Sequence, residues 1–353
     1  MVRILETTLE RTRTSPAYRQ KLDAGWCLFA EWCMTSGVSL QDSLCSTLSA
    51  DQRIAEFVNI AFEVGHPLWL VKHAVLACQT RYRFLKGNIP RSWDCLRSWQ
   101  AQKAWRNRVP ITPELMRTVF TAALNWALID SSLAQLLFPF CVLVRVGFHG
   151  LLRPGEIANL VAGDVRLPLS PANGEAAVIA IRSPKTRFHY GRKQFALITD
   201  VGTVAYLRWL VADLPPHVKL WPSDANRFRS LFASVLRKAG LANLPITPAS
   251  LRAGGATDMI VRQVDIGRLK FLGRWKSQGT LDSYVQEAVA QLVALHLDDC
   301  QRSIITTALA ASEHCWQTPP VLPWTCLFSR ARQWRSWRRQ RPQPTHGAGQ
   351  KPS

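Results

Sequence analysis

The sequence predicts a mainly α-helical protein of two domains that carries a small β-hairpin or sheet. Apolar residues recur at helical spacing over most of the 353 residues. Only two short apolar segments, 176–182 and 193–199, are typical of strands. A proline-containing linker, residues 109–114, separates a purely helical first part from the part that contains the strands.

The chain is expected to contain four segments. Residues 1–15 form a loose, polar and basic arm, residues 16–108 an all-helical domain, and residues 110–298 a second domain. Residues 299–353 comprise a helix over about 300–312 and a basic tail that the composition predicts to be disordered. The tail is either a nuclear localisation signal or a segment that binds DNA nonspecifically as a clamp. It contains Arg330, Arg332, Arg335, Arg338, Arg339 and Arg341.

The first domain is expected to contain four helices and no strand, over residues 17–37, 49–65, 66–87 and 90–108. Its third and fourth helices mix basic with aromatic residues. Such a face is either solvated charge over a tryptophan-rich core or a surface that follows phosphates. On the second interpretation the candidate DNA-binding residues are Lys72, Arg81, Arg83, Lys86 and Arg97, joined by Arg187 of the second domain.

The charge balance indicates a polyanionic partner. The chain has 44 lysines and arginines against 24 acidic residues, and its formal net charge is +20. Such an excess favours nucleic acid, and the family resemblance described below implies double-stranded DNA. A membrane surface is the weaker alternative, because the basic residues are spread over the whole chain.

Cysteine spacing and hydropathy predict an intracellular protein without a structural metal. The nine cysteines form neither a CxxC pair nor a His/Cys cluster at metal spacing, so we expect reduced thiols and no disulfides. The first thirty residues lack a signal-peptide core, and the longest apolar run, Leu136–Val144, ends at Arg145 and is too short to span a bilayer. A soluble, DNA-associated protein is expected, nuclear if the source is eukaryotic.

The second domain begins with helices over about 113–128 and 132–148. The motif that follows them is typical of a helix N-terminus that can bind an anion. In LLRPGEI, Pro154 is expected at the first position of a helix, so Arg153 lies at a helix N-terminus whose amides favour a phosphate. Glu156 either holds Arg153 in place or closes the capping turn. Lys185 lies at the hairpin tip, where a lysine is usually just solvent-exposed but can also reach toward a leaving oxygen.

After helices over 201–213 and 226–239, the stretch 246–284 predicts two short helices and the start of a third. Thr247 is a good N-cap with Pro248 after it, which places Arg252 on the second helical turn. The next two residues, Gly254 and Gly255, cost about 1 kcal/mol each relative to alanine in a helix. A chain tolerates this where another backbone or a ligand comes close.

The same stretch ends with a turn and a tyrosine. Asp265 is expected to cap the second short helix and Gly273 to end it, with Arg274 and Trp275 in the following turn. Tyr284 is expected on the third helix, because apolar residues recur at helical spacing through residues 280–295. Arginine, an indole N–H and a tyrosine hydroxyl together suit phosphoryl transfer, since guanidinium groups match phosphate oxygens and a positioned hydroxyl can attack phosphorus.

These motifs, in this order, resemble those of the tyrosine recombinase (phage integrase) family. The resembling features are LLRPGEIANL, the Lys-Thr of the hairpin, SLRAGGATDM, and a Gly-x-Trp whose tryptophan precedes Tyr284 by nine residues. The resemblance covers residues 110–298, and the local sequence of these motifs is most similar to the Cre branch of the family. It implies a two-domain DNA clamp with a tyrosine-recombinase-like catalytic domain.

The resemblance implies a role for each site residue. Tyr284 would attack the scissile phosphate and give a 3′-phosphotyrosyl link, Arg153 and Arg252 would stabilise the transition state, and Lys185 would protonate the leaving oxygen. Trp275 would donate its indole N–H to a phosphate oxygen, with Glu156 and Arg274 in support. The family needs no metal or other cofactor and works as a tetramer on DNA, so we expect a homo-oligomer that recombines the DNA of a mobile element.

One position departs from the family pattern. Members usually carry histidine, sometimes lysine, three residues before the second arginine, and this chain has Ala249 there. Arg274, Ser250 or a water molecule would have to replace that group if the enzyme is active.

Three other functions stay open at this point. A catalytically degenerate DNA-binding protein derived from a recombinase would explain Ala249. A helix-turn-helix regulator would use residues 264–285 as its recognition unit, but it leaves LLRPGEI and Lys185 unexplained. A type IB topoisomerase would use similar chemistry without preference for a DNA site.

Overall fold

The computed structural model describes residues 14–102, 109–169, 176–182, 184, 194–212, 214–282, 284–285, 287–313 and 315–320, with the backbone alone for Glu287. The described chain is mostly helical with one three-stranded antiparallel sheet, which confirms the predicted fold class. It divides into two compact units, Met1–Arg106 and Asn107–Ser353. The predicted domain limits, the clamp arrangement and the character of the arm and tail stay predictions.

The first unit is helical throughout its described part. Serine side chains cap the first three helices: Ser15, for example, caps the first helix and Pro16 occupies its first position. The helices are α1 Pro16–Thr35, α2 Leu40–Ser43, α3 Thr47–Glu63, α4 Leu68–Arg81 and α5 Pro90–Gln102, with a 3₁₀ turn at Arg83–Leu85.

Aromatic side chains form the core of this unit. Phe29 of α1 and Phe57 of α3 meet edge to face, with ring centroids 5.2 Å apart, and Trp32 packs against both. Asp51 of α3 fixes the start of α5 by accepting hydrogen bonds from the backbone N–H and the hydroxyl of Ser92. The unit therefore has its own hydrophobic core.

The second unit contains the sheet and the predicted site. Its strands are β1 Val165–Arg166, β2 Ala177–Ile181 and β3 Gln194–Ile198, in spatial order β1-β2-β3. Its helices are α6 Pro113–Ile129, α7 Ala134–His149, α8 Pro154–Ile157, α9 Val201–Val211, α10 Ala225–Lys238, α11 Pro248–Val261, α12 Ile266–Gly273, α13 Gln278–Asp282, α14 Glu287–Leu295 and α15 Asp299–Ala311, with a 3₁₀ turn at Ala162–Asp164.

Helix α7 is the centre of this unit. Every residue from Leu137 to Phe148 is buried, because α6, α9 and α11 pack around the helix. The two long strands pair in register, with Val178 opposite Leu197, and alternate residues such as Ile179 and Ile198 face the core. None of the described helices is long and apolar enough to cross a membrane.

Arg145 is a fully buried cation on α7. Its Nε donates to Thr203 Oγ1 at 3.1 Å, one terminal nitrogen donates to Asp200 Oδ1 at 3.1 Å, and the other donates to the carbonyl of Trp316 at 2.5 Å. The Trp316 ring covers the guanidinium, with its centroid 3.8 Å from Cζ. Charge pairing and cation–π contact therefore hold the segment after α15 against α7.

His149 lies beside this cluster at the end of α7. Its Nδ1 is 2.7 Å from Thr203 Oγ1 and 3.6 Å from Asp200 Oδ1. Burial lowers the pKa of His149 to about 4, and the neighbouring charges of Arg145 and Arg262 act in the same direction against the opposing effect of Asp200. The imidazole is therefore neutral in the folded protein at neutral pH.

We expect this histidine to weaken the fold in acid. An unfolded histidine binds its proton near pH 6.5, so between that pH and about 4 the unfolded chain binds more protons than the folded one. The free energy of unfolding is then fully present above pH 6.5 and falls by about 3 kcal/mol as the pH drops to 4. Urea unfolding of the parent and of His149→Asn between these pH values measures this, and parallel profiles for both proteins would contradict it.

Candidate active site

Arg153 and Glu156 form the first part of the site, at the start of α8. The Glu156 Oε2 atom accepts the backbone N–H of Arg153 at 3.0 Å, and Oε1 accepts from the Arg153 guanidinium at 2.7 Å. Glu156 thus does both things that the sequence left open: it closes the capping turn and holds the arginine side chain. Arg153 keeps 19% of its side chain exposed, whereas Glu156 keeps only 5%.

Arg252 is the buried centre of the site. It lies on α11, where the backbone N–H of the N-cap residue Thr247 donates to the Ser250 hydroxyl at 3.0 Å. Its guanidinium donates to the carbonyls of Leu151, at 2.5 Å, and Gly273. Only 1% of the residue is exposed. Two backbone carbonyls from different elements therefore fix the position of this charge.

The two glycines that follow Arg252 allow this close packing. A Cβ atom on Gly254 would lie 2.0 Å from the Ile111 carbonyl oxygen, and one on Gly255 would lie 2.1 Å from that of Phe148. Both contacts are too short for any side chain. The expectation that another backbone comes close at these glycines is confirmed.

Arg274 brings a third guanidinium to the same place. One terminal nitrogen donates to Glu156 Oε2 at 3.0 Å and to the Leu151 carbonyl at 3.2 Å. Arg274 adopts the left-handed conformation as the C-cap of α12, with φ of 58°, and its side chain is 6% exposed. The predicted end of α12 at Gly273 is confirmed, and Arg274 supplies the left-handed residue that follows it.

Leu151 is a residue of this site that sequence reasoning missed. Its carbonyl accepts from both Arg252 and Arg274, and its own backbone is left-handed, with φ of 49°. A branched side chain is unfavourable there, so the surrounding contacts must stabilise this conformation. Nothing in the local sequence indicates it, because leucine is not a residue that favours positive φ.

Trp275 covers one side of Arg252. The Arg252 Cζ atom lies 4.4 Å from the centroid of the indole ring, and the tryptophan is 3% exposed. The ring packs directly on Gly273, where a Cβ atom would lie 1.5 Å from Trp275 Cζ3. Glycine at this position is therefore required for the position of the indole.

Tyr284 completes the cluster, but it does not lie on a helix as the periodicity predicts. It follows α13 in a turn, where its N–H donates to the Leu281 carbonyl at 2.7 Å, and α14 begins at Glu287. The Tyr284 carbonyl accepts from Thr257 Oγ1 at 3.4 Å, and its ring is 5.3 Å from both the Trp275 ring centroid and Arg252 Cζ. These tertiary contacts outweigh the local helical pattern.

Three buried N–H groups of the site have the chemistry to donate to an oxyanion. Arg252 Nε, Arg274 Nε and Trp275 Nε1 are buried, and none has a hydrogen-bond partner among the described residues. Buried donors without partners are unfavourable by about 1–3 kcal/mol each, and a bound oxyanion satisfies such donors.

The charges of the site influence one another. Burial, reinforced by the positive charges of Arg153 and Arg274, lowers the pKa of Arg252 to about 9, so its guanidinium stays charged at neutral pH. Burial also lowers the pKa of Arg274, against the opposing effect of Glu156. Burial raises the pKa of Glu156, but the charge of Arg274 and the contacts with Arg153 outweigh it and lower that pKa overall.

The structure thus brings together Arg153, Arg252, Trp275 and Tyr284 with Glu156 and Arg274. The hairpin tip with Lys185 and Arg187 lies outside the described residues, as does the basic tail. Within the described part of the chain, no three His, Cys, Asp or Glu residues are grouped so that they could hold a metal ion.

The candidate DNA-binding residues Lys72, Arg81, Arg83, Lys86 and Arg97 are all exposed on the first unit. Two of them have acidic partners: Arg81 pairs with Asp23 and covers the Trp26 ring, and Arg97 pairs with Asp94. Their role in DNA binding stays a prediction.

Fold and site together define a mainly helical protein with a buried cluster of arginines beside a tyrosine. No family model matches the sequence. A comparison with curated proteins also finds no match.

Solved structures to which the chain is similar include recombinases and integrases. XerA recombinase shares 16% identity at a TM-score of 0.39, with 86% of this chain and 95% of that chain covered. The Tn1549 transposon integrase in complex with transposon right-end DNA shares 13% sequence identity at a TM-score of 0.49, with 77% of this chain and 99% of that chain covered. A lambda integrase dimer bound to a core site shares 14% sequence identity at a TM-score of 0.45, with 80% of this chain and 83% of that chain covered. These similarities concern the fold alone, and the resemblance to the Cre branch stays a prediction.

We expect Gly273→Ala to disrupt the site. The added methyl group overlaps the Trp275 ring, so the indole must move from its place beside Arg252, and such overpacking lowers the free energy of unfolding by about 1–3 kcal/mol. Gly155→Ala is the matched control, because the space around its Cβ position is open. Urea unfolding measures both variants, and equal stability of the two would show that Trp275 does not depend on Gly273.

Proposed function

We propose that this protein is a tyrosine recombinase that cuts and rejoins DNA through a 3′-phosphotyrosyl intermediate. The observation that carries the proposal is the position of Arg252. Its buried guanidinium contacts the rings of both Trp275 and Tyr284, and it shares the Leu151 carbonyl with Arg274. A phosphate bound there would meet fixed positive charge and a tyrosine side chain together.

The chemistry follows from the charges of the reaction. The Tyr284 oxygen forms a bond to phosphorus while the bond to the 5′ oxygen of the next nucleotide breaks, and charge accumulates on the two nonbridging oxygens. Arg153 and Arg252 stabilise that charge, as preorganised donors do. The Trp275 indole N–H, which has no partner among the described residues, donates a further hydrogen bond.

Two protons must move for the reaction to proceed. Tyr284 gives its proton to solvent as it attacks, and the leaving 5′ oxygen takes one from Lys185, to which we assign the role of general acid. In the rejoining step the free 5′-hydroxyl attacks the phosphorus of the phosphotyrosyl link and returns its proton to Lys185, while the bond to the Tyr284 oxygen breaks and that oxygen takes up a proton from solvent. The phosphotyrosyl bond conserves the energy for rejoining, so the reaction consumes no ATP.

The substrate we propose is double-stranded DNA, as the net charge of +20 favours. Lys72, Arg81, Arg83, Lys86 and Arg97 of the first unit, with Arg187 of the hairpin, would contact the phosphates. We further propose a tetramer on DNA and a role in moving a mobile element within the compartment that holds that DNA.

A degenerate DNA-binding protein is the second candidate, and Ala249 is the observation that favours it. This residue lies on the first turn of α11 and is half-buried, three residues before Arg252. The Ser250 hydroxyl accepts the Thr247 N–H, and Arg274 binds Glu156, so each of these possible substitutes already has a structural contact. Against this candidate, the side chains of the described site stay in mutual contact.

The helix-turn-helix alternative fits the described site poorly. In the segment that it would use for recognition, Trp275 and Leu281 are buried, and α13 contains only the five residues Gln278–Asp282. Relaxation of supercoiled DNA without preference for a sequence would instead indicate a topoisomerase.

We expect Tyr284→Phe to bind DNA like the parent and to form no covalent complex with it. The substitution removes only the proposed nucleophilic oxygen and leaves the ring that packs on Trp275. Covalent trapping on a nicked duplex from the DNA that flanks the gene measures the difference. Tyr18→Phe, which changes a tyrosine of the first unit, is the control and should still form the adduct; an adduct in Tyr284→Phe would place the nucleophile elsewhere.

We expect Ala249→His to accelerate cleavage near neutral pH. A positioned acid–base group accelerates a step by roughly 10²–10⁴-fold, and the gain should fade at high pH, where the tyrosine loses its proton without help. The parent rate should rise steeply with pH for the same reason. Single-turnover trapping across about pH 6 to 9 measures both proteins.

Two results would contradict this expectation. A parent that cleaves rapidly at neutral pH, with no gain from the histidine, would show that another group already handles the proton. Absence of cleavage by both proteins, on DNA that they bind, would favour the degenerate DNA-binding protein.

A further inference from the structure

We propose that Arg274 is a positioning residue that orients both phosphate-binding arginines and sets the net charge of the site. The inference rests on the proposed function, because it takes a phosphate as the ligand of Arg153 and Arg252. Four contacts, one backbone conformation and the charge balance of the described residues support it.

The contacts of Arg274 reach the two groups that orient the other arginines. One of its terminal nitrogens donates to Glu156 Oε2, at 3.0 Å, and to the Leu151 carbonyl, at 3.2 Å. Glu156 binds the Arg153 guanidinium through its other oxygen, and the Leu151 carbonyl accepts from Arg252 at 2.5 Å. A shift of Arg274 therefore disturbs the acceptors of both arginines.

The backbone of Arg274 shows that these contacts offset an unfavourable conformation. Its φ of 58° and ψ of 44° lie in the left-handed region, which glycine adopts at no steric cost and which is unfavourable for residues with a Cβ atom. Glycine is the usual residue at such a helix end. An arginine there has no local advantage, so its side-chain bonds must supply the stabilisation.

The charge balance gives Arg274 a second role. Three guanidinium groups and one carboxylate leave the described site with two net positive charges. A phosphodiester has one negative charge and gains a second as the tyrosine oxygen adds to phosphorus, so the site charge matches that of the transition state. Without Arg274, Glu156 would face Arg153 alone and would oppose its charge.

This arrangement predicts a reversal of sign in a double-mutant cycle. Arg274→Met removes the charge at similar length, and single-turnover cleavage of the nicked duplex should fall about 100-fold. Glu156→Gln in the parent should also slow cleavage, because the amide has no charge and keeps only one of the two oxygens that accept from Arg153 and Arg274. In the Arg274→Met protein, however, Glu156→Gln should raise the rate about tenfold, because it removes the uncompensated carboxylate.

The controls separate this role from a general effect on folding. The exposed pair Arg53 and Glu56 allows the same two substitutions, Arg53→Met and Glu56→Gln, and both should leave cleavage unchanged. Arg274→Lys keeps the charge and should be faster than Arg274→Met but slower than the parent. DNA affinity should not change in any variant, and circular dichroism checks the fold; if Arg274→Met does not fold, Arg274→Gln replaces it in the cycle.

Three results would overturn the proposal. Glu156→Gln could slow cleavage by the Arg274→Met protein further. The two losses would then add, as expected if Arg274 has a structural role only. Arg274→Lys could be as slow as Arg274→Met, which would exclude a role for the charge. DNA affinity could fall with the rate, which would make Arg274 a binding residue.

A parent that binds DNA but never forms a covalent complex would instead refute the proposed function. Orthovanadate, an analogue of the phosphoryl transition state, then tests Arg274 separately. It should raise the melting temperature of the parent and of Arg53→Met but not that of Arg274→Met. In the double variant Arg274→Met, Glu156→Gln, orthovanadate should again raise the melting temperature. Any other pattern of melting-temperature shifts on addition of orthovanadate would overturn the proposed role of Arg274.

Discussion

The described site depends on one backbone carbonyl, that of Leu151, which accepts hydrogen bonds from two buried guanidinium groups. Arg252 reaches it from α11 and Arg274 from the end of α12. The carbonyl can point at both only because Leu151 adopts a left-handed conformation directly after α7. Burial of α7 on all sides holds this turn in place, so the core of the second unit positions the charges of the site.

Burying so much positive charge is unfavourable, and the surrounding groups compensate for it in part. Glu156 is the carboxylate among the contacts of Arg153 and Arg274, while Arg252 has two carbonyls and the faces of two aromatic rings. A site with an excess of buried cations is stabilised when an anion binds. The lowered pKa of Arg252 expresses the same fact, since a bound phosphate would favour its charged form.

The residues that sequence analysis predicted best are those whose role depends on near neighbours. Arg153 with Glu156, the cap at Thr247 and the helix end at Gly273 are local features, and the structure contains each of them. The paired glycines after Arg252 indicated a close backbone contact without revealing its partner. Helices α6, α7, α9 and α10 and the two long strands also follow from local periodicity.

What the sequence could not reveal depends on contacts between distant residues. The periodicity of residues 280–295 predicts one helix through Tyr284, but Thr257 and Trp275 hold that residue in a turn. Arg145 marks the end of an apolar run in the sequence, yet it is fully buried because Trp316, far along the chain, covers it. The two-residue strand β1 is too short to show any pattern.

The central claim is that Tyr284 forms a covalent bond with DNA, and peptide mapping of the trapped complex tests it most directly. The chain has five tyrosines, and trypsin releases Tyr284 on the peptide of residues 277–302, which contains no other tyrosine. After nuclease and trypsin digestion, mass spectrometry should find the residual nucleotide on that peptide. A nucleotide on any other peptide, or none on DNA that the protein binds and cleaves, would contradict the account.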